Sequence, residues 1–370
     1  MSMTADPIPN LPLRPPRSEV GVIGWLRQNL FSSITNTILT VLGALVIYKV
    51  VYALVDWAVI RAVWTGQDGS ACRAEGTGAC WPFVTAKLGQ FMYGRYPDAE
   101  RWRVNLSYLL ALAGLVALLT PGVPGKKWAA MFTLLVFPVL AYWLLTGGIL
   151  GLPIVQTQLW GGLLVTLVVA SVGITASFPL GILLALGRRS NMPVIRMASV
   201  GFIEFVRGVP LITMLFMASV MLPLFMPPDI NLDKLLRALI GVSLFSAAYL
   251  AEVIRGGLQS IPRGQFEAAD ALGLSYRNKM ALIVLPQALK LVIPGIVNSF
   301  VALFKDTSLV LIIGLFDLLT MGKVALSDPP WQSFSTEVYV VLGLIYIAFC
   351  YAMSRYSRGL EQELNAAQPR

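Results

Sequence analysis

Eight windows of this sequence carry apolar runs long enough to cross a lipid bilayer, which leaves few folds open to the chain. They run from Ile34 to Ile60, Val104 to Leu119, Trp128 to Leu145, Gly161 to Leu186, Val209 to Met226, Ala238 to Val253, Pro294 to Leu315 and Val338 to Met353. A transmembrane helix needs about 20 predominantly apolar residues. Composition agrees: 56% of the 370 residues are hydrophobic and 13% are charged, where a soluble domain carries about twice that charged fraction. The expected fold is all-α, a polytopic membrane protein of about eight transmembrane helices.

The formal net charge is +9, but the basic residues sit in short loops and at span ends, where they set orientation and meet anionic lipid headgroups. That distribution speaks against nucleic acid as a partner. A cytoplasmic N-terminus places Arg14, Arg17, Arg27, Lys126, Lys127, Arg188, Arg189, Arg196, Arg255, Arg263, Arg277, Lys279, Arg355 and Arg358 on one side. Eight spans return the C-terminus to that side. Residues 1–30, opening "MSMTADPIPNLPLRPPRSEVG", then read as a disordered cytoplasmic tail with no apolar core of a signal peptide. Residues 361–370 form a second cytoplasmic tail, and 61–103 the longest external loop.

The sequence contains no His and only three Cys, at 72, 80 and 350, so zinc, haem and histidine-based acid–base chemistry have no ligands or bases here. No phosphate-binding G-x-x-x-x-G-K-[ST] motif is present; "PGVPGKKW" lacks both the spacing and the hydroxyl. The chain is therefore expected to bind no metal or cofactor itself. Cys72 and Cys80 bracket "CRAEGTGAC" in the external loop, either as a periplasmic disulfide or as two free thiols, since spacing alone does not bring two Cβ atoms together. Cys350 lies in the last span and reads as a small packing residue.

Two apolar stretches exceed a single span. From Met192 to Met226 the run is interrupted by "IEFVRGVP", which predicts an interfacial helix over Pro193 to Val206 and a span beginning after Arg207. From Pro286 to Gly322 it is broken by "FKDTS". Between the sixth and seventh windows, 256–286 forms a polar cytoplasmic loop. "QFEAADALG" predicts a helix of small residues closed by Gly273 in the left-handed conformation, with Leu274 as the accompanying apolar contact. Ser275 caps a second helix, which Pro286 ends. Ala268, Ala269 and Ala271 permit close approach by a partner, and Glu267 and Asp270 are expected in first turns, where the helix dipole favours acids.

Glu267, Ala268, Ala269 and Gly273, followed by "IVLP" with Ile283, Leu285 and Pro286, resemble the EAA loop of permeases in binding-protein-dependent ABC importers. The flanking "FVRGVPL", "AAYLAEVIRGGLQSIPRGQFEAADALGLS" and "LFKDTSL" are similar to the polar amino-acid subfamily over Leu159 to Leu360. The longer N-terminal half resembles the larger permease of general L-amino-acid or glutamate/glutamine/aspartate/asparagine importers. The resemblance implies a type I importer core of five helices at 155–360, preceded by a three-helix extension at 31–150. It further implies an inner-membrane transport subunit rather than an enzyme. Its partners would be a homologous permease in a heterodimer, a cytoplasmic ATPase dimer carrying ATP and Mg, and a periplasmic amino-acid-binding protein. In such permeases the loop docks into the ATPase and transmits its closure.

A zwitterion crossing hydrocarbon needs both its charges compensated. Asn298, Lys305, Asp306, Thr307 and Ser308 supply donors, acceptors and both charge signs near mid-membrane; the alternative is a Lys–Asp pair neutralising itself at a helix break. Glu204 with Arg207, and Glu252 with Arg255, are each spaced to bridge on one helix face, either as snorkelling or gate pairs or as substrate contacts. The rival function is a stand-alone secondary transporter or channel, which would need a coupling-ion site and usually shows internal repeats; none is visible. A membrane enzyme lacks a catalytic constellation.

Overall fold

The computed structural model describes residues 21–366 except Pro121, Leu150, Pro228 and Asn231, and most of the expected N-terminal tail lies outside them. Among the described residues the chain is almost wholly helical. Among the described residues seven helices are long and apolar enough to span a membrane, and a pair bent by 108°, Pro193–Gly208 and Leu211–Phe225, makes an eighth if the two count as one span. This is the all-α polytopic fold with the expected number of spans.

The chain divides into two compact units at Trp81/Pro82 rather than near residue 150. In the first, α1 (Gly21–Asn29) is helical where an unstructured tail was expected, because "VIGWL" supplies a short apolar run. Ser33 caps α2 (Ile34–Val55), accepting from the amide of Asn36, and a π-helical turn over Asp56–Ile60 extends it. The chain then folds back: the amides of Gly78 and Ala79 donate to the carbonyls of Arg61 and Trp57 at 2.7 and 2.8 Å. Cys72 and Cys80 are joined in a disulfide with Cα atoms 5.6 Å apart. The Trp81 ring lies against Trp57 and Trp64.

The second unit holds α3 (Trp81–Tyr93), α4 (Arg101–Leu119), α5 (Lys126–Met131) and α6 (Phe137–Thr146), the last two joined by a π turn at Phe132–Val136. Next come β1 (Gly161–Gly162), α7 (Leu163–Arg188), α8 (Pro193–Gly208) and α9 (Leu211–Phe216), then α10 (Lys234–Gln259), α11 (Arg263–Ala271), α12 (Tyr276–Asn278), α13 (Leu285–Leu291) and α14 (Ile293–Asp306). After β2 (Phe316–Asp317), the chain closes with α15 (Leu318–Ala325) and α16 (Ser335–Ala366). α7 and α10 pack along their lengths as the central pair. Small residues make this possible: a Cβ at Gly181 would meet the Leu250 Cβ at 2.9 Å.

At the end of α7 away from Arg188, β1 and β2 pair in parallel, Gly161 opposite Phe316 and Gly162 opposite Asp317. Residues before the core reinforce this join. Gly94 bridges to Trp160, and a Cβ at Gly94 would lie 2.3 Å from the Gly161 Cα, so the two backbones touch only because both residues are glycine. The Arg95 guanidinium lies 4.5 Å from the Phe316 ring centre, Lys87 pairs with Asp328, and Phe83 packs on Trp331 and Phe334. Asp317 caps α15, accepting from the amides of Leu319 and Thr320 at 3.0 and 3.1 Å; burial nevertheless pushes its carboxyl above the usual range. Cys350 is half-buried against the main apolar core.

Candidate functional site

The loop between α10 and α14 is a helix–turn–helix whose corner is set by backbone chemistry. Gly273 has φ +67, a conformation costly for other L-residues. Its amide donates to the Asp270 carbonyl at 2.9 Å, and the amide of Leu274 reaches back to Ala269 at 3.2 Å, which satisfies carbonyls that the end of α11 leaves open. Ser275 then caps α12, accepting from the amide of Asn278 at 3.4 Å. Lys279 Nζ closes the corner on Asp270 Oδ1 at 2.5 Å.

Three details differ from the sequence-based expectation. Pro286 does not end the second helix: a π-helical segment, Lys279–Val284, runs straight into α13, and this local change of hydrogen-bond register accompanies the passage of the chain through Pro286. α11 starts at Arg263, so Glu267 lies in its second turn, outside the strongest part of the helix-terminal field. Ala269 is 1% exposed and packs inward, so the free face is formed by Glu267, Ala268, Ala271 and Leu272, the last 76% exposed. Ile283 and Leu285 are half-buried and Pro286 is exposed.

Beneath the loop, a charged cluster joins α7, α8 and α10. Glu252 meets Arg255 at 2.8 Å, Arg188 at 2.9 Å and Arg207 at 3.7 Å. Glu204 does not bridge to Arg207; it accepts from Arg188 Nη1 at 2.8 Å. The expected Glu252–Arg255 pair is present, and the other is replaced because α7 brings Arg188 between the two glutamates. The cluster is removed from the groove described next, save that the Arg207 guanidinium lies 5.7 Å from the Tyr249 ring centre.

A groove of about 410 Å³ opens between α10 and α14. Phe245, Ser246, Tyr249 and Leu250 line one wall; Asn298, Ser299, Phe300, Ala302, Leu303 and Asp306 line the other. This is an open, mostly apolar trough with a few polar groups. Of the residues expected on the path, it gathers Asn298 and Asp306. Lys305 points away and is exposed, Thr307 is buried and donates to the Phe304 carbonyl, and Ser308 donates to the Lys305 carbonyl. Among the described residues Lys305 and Asp306 form no ion pair, so they do not neutralise each other by contact. The wall from α10 was missed, although Ser246 and Tyr249 stand three residues apart in a mostly apolar span; Glu252, which was expected on the path, does not line the groove.

A family model described as "Binding-protein-dependent transport system inner membrane component" matches residues 177–365. The inner membrane amino-acid ABC transporter permease protein YhdY of Escherichia coli (strain K12) is 51% identical over 344 residues, which cover 93% of each chain. The glutamate/glutamine/aspartate/asparagine transport system permease protein BztC of Rhodobacter capsulatus is 42% identical, covering 94% of this chain and 95% of the relative. A crystal structure of an amino acid ABC transporter with histidines aligns at 29% identity with a TM-score of 0.48, over 55% of this chain and 92% of that one. The chain belongs to the family of binding-protein-dependent transport system inner membrane components. It is a multi-span inner-membrane transport subunit, and ATP hydrolysis belongs to a separate partner subunit.

Proposed function

We propose that this chain is a permease subunit of an ATP-driven importer of polar L-amino acids, with glutamate, glutamine, aspartate and asparagine as the leading substrates. The observation that carries the mechanism is connectivity. The corner that resembles an ATPase-docking loop leads out of α10 and into α14, the two helices that wall the polar groove. A push on the loop therefore reaches α10 through α11, and α14 through the π segment Lys279–Val284 and α13. Asp306 offers a carboxylate for the substrate ammonium, and Asn298 and Ser246 offer neutral donors and acceptors. Its other charges would be met by the sister permease, with which this chain forms a heterodimer.

The ATPase pair, with its ATP and Mg, docks on Glu267, Ala268, Ala271 and Leu272 from the cytoplasm, where both termini also lie, and a periplasmic binding protein delivers the amino acid to the opposite face. Relatives matched over more than nine tenths of their length and named as permease proteins support this assignment over a stand-alone transporter. Uptake of labelled glutamate and glutamine into proteoliposomes tests it. Transport should require ATP inside, the ATPase and the binding protein; uptake by this chain alone would restore the secondary-transporter reading.

A further inference from the structure

We infer that the consecutive arginines closing α7, Arg188 and Arg189, form the joint that passes motion from the docking loop to the substrate groove; the inference rests on the docking role proposed above. The two side chains diverge. Arg189 Nη1 donates to the Leu258 carbonyl at 2.9 Å, in the last turn of α10, where helix carbonyls lack intrahelical partners and the helix field favours a cation. The same guanidinium lies 5.6 Å from the ring centre of Phe266 on α11. One cation thus straddles the short connection between a groove helix and the docking helix.

Arg188, its neighbour in the chain, cannot be displaced independently. It donates to Glu204 on α8 and contacts Glu252 on α10. The contact with Glu252 Oε1 is off the hydrogen-bond direction: that oxygen is buried and has no aligned donor. Arg207 stands 3.7 Å from Glu252, and it is also three residues from Glu204 on the same helix. The cluster therefore has a second arrangement within side-chain reach, in which Arg188 turns fully to Glu252 and Arg207 takes Glu204. Two discrete pairings of near-equal chemistry are what a two-state coupling element requires. Arg207 completes the route, because its guanidinium lies over Tyr249 in the groove wall.

Packing supplies the rigidity. Ala185, Ile203, Ile254, Ile261, Met280 and Val284 form one buried cluster from α7, α8, α10 and the docking loop. Close-packed apolar side chains transmit displacement instead of absorbing it. Arg188 and Arg189 are positioning residues in this scheme; neither touches substrate.

The experiment uses the assembled transporter in proteoliposomes and reads ATP hydrolysed and amino acid imported in the same sample. Arg189→Gln should leave the ATPase bound and hydrolysing within about twofold of wild type while import per ATP falls at least about tenfold. Arg189→Lys keeps a cation and a donor at the same place and should recover at least half of the lost import per ATP. Glu204→Gln removes the carboxylate that both pairings exchange and should lower import per ATP about fivefold without loss of assembly. Unchanged import per ATP in assembled Arg189→Gln and Glu204→Gln transporters overturns the joint and leaves the docking reading intact. Failure of the wild-type chain to retain the ATPase overturns the docking reading and the joint with it.

Discussion

Arg103 shows how much one ion carries inside this fold. Its side chain is fully buried, and it donates to Glu100 Oε2 at 2.7 Å and to the Pro153 carbonyl at 3.0 Å, tying the start of α4 to the segment after α6. Removing one member of a buried pair strands the other, at a cost of about 3–5 kcal/mol. Arg103→Met should therefore lower the yield of folded protein and its melting temperature in detergent; an unchanged melting temperature would show that Glu100 finds another donor. Asp306 calls for the opposite result. It has no ion-pair or hydrogen-bond partner among the described residues and faces the groove, so Asp306→Asn should leave yield and melting temperature intact while raising the substrate KM about tenfold or more. A fall in stability with unchanged KM would make Asp306 structural. Asp306 was legible in the sequence as a path candidate, with a neutral pair to Lys305 as the alternative, because adjacency in the chain says nothing of the direction in which two side chains leave a helix. The role of Arg103 was not legible: it stood at the edge of a loop, and the Pro153 carbonyl it meets lies 50 residues on.

At the scale of the element, the docking corner depends on Gly273. A Cβ there would meet nothing within 4 Å, so a side chain costs only the left-handed backbone, about 1–2 kcal/mol, and projects into the open space where the ATPase is proposed to dock. Gly273→Trp should thus fold and insert normally, lose the ATPase on copurification, and drop import at least about tenfold. Wild-type import would remove the corner from the coupling path. Signals confined to a few neighbouring residues were legible here: the Gly273 and Ser275 caps, the helix α8 with its break before α9, bent by 108°, and the apolar windows themselves. The π segments at Phe132–Val136, Met217–Met221 and Lys279–Val284 were not, since slipping one hydrogen-bond position changes no composition or periodicity long enough to notice. The inward face of Ala269 and the bond from the Leu318 amide to Thr166 Oγ1 were equally hidden. The first depends on the π segment Lys279–Val284 folding back against α11, the second on an element 152 residues away, and neither is decided by the residues next in the chain.

For the whole molecule, span parity makes a prediction that does not depend on any side chain. Asp98–Leu119, Lys126–Thr146, Leu163–Arg188, the bent pair and Lys234–Gln259 separate the Cys72–Cys80 loop from the docking loop, five crossings in all. An odd number places the two loops on opposite faces of the membrane. With the basic residues of the docking loop expected inside, the disulfide is expected outside, in the compartment where disulfides persist. In cells whose thiols are blocked before lysis, non-reducing mass mapping should recover Cys72 and Cys80 as one linked peptide. Closing a loop of this size is worth about 2–3 kcal/mol, so Cys72→Ser should cost that much of the first unit's stability and leave import per ATP unchanged. A cysteine introduced at the exposed Tyr276 should react with a membrane-impermeant maleimide in inverted vesicles and not in intact cells. Labelling of that position from outside, or free thiols at both Cys72 and Cys80, would mean that one of the five segments does not cross, and the 108° break between α8 and α9 is the first place to look.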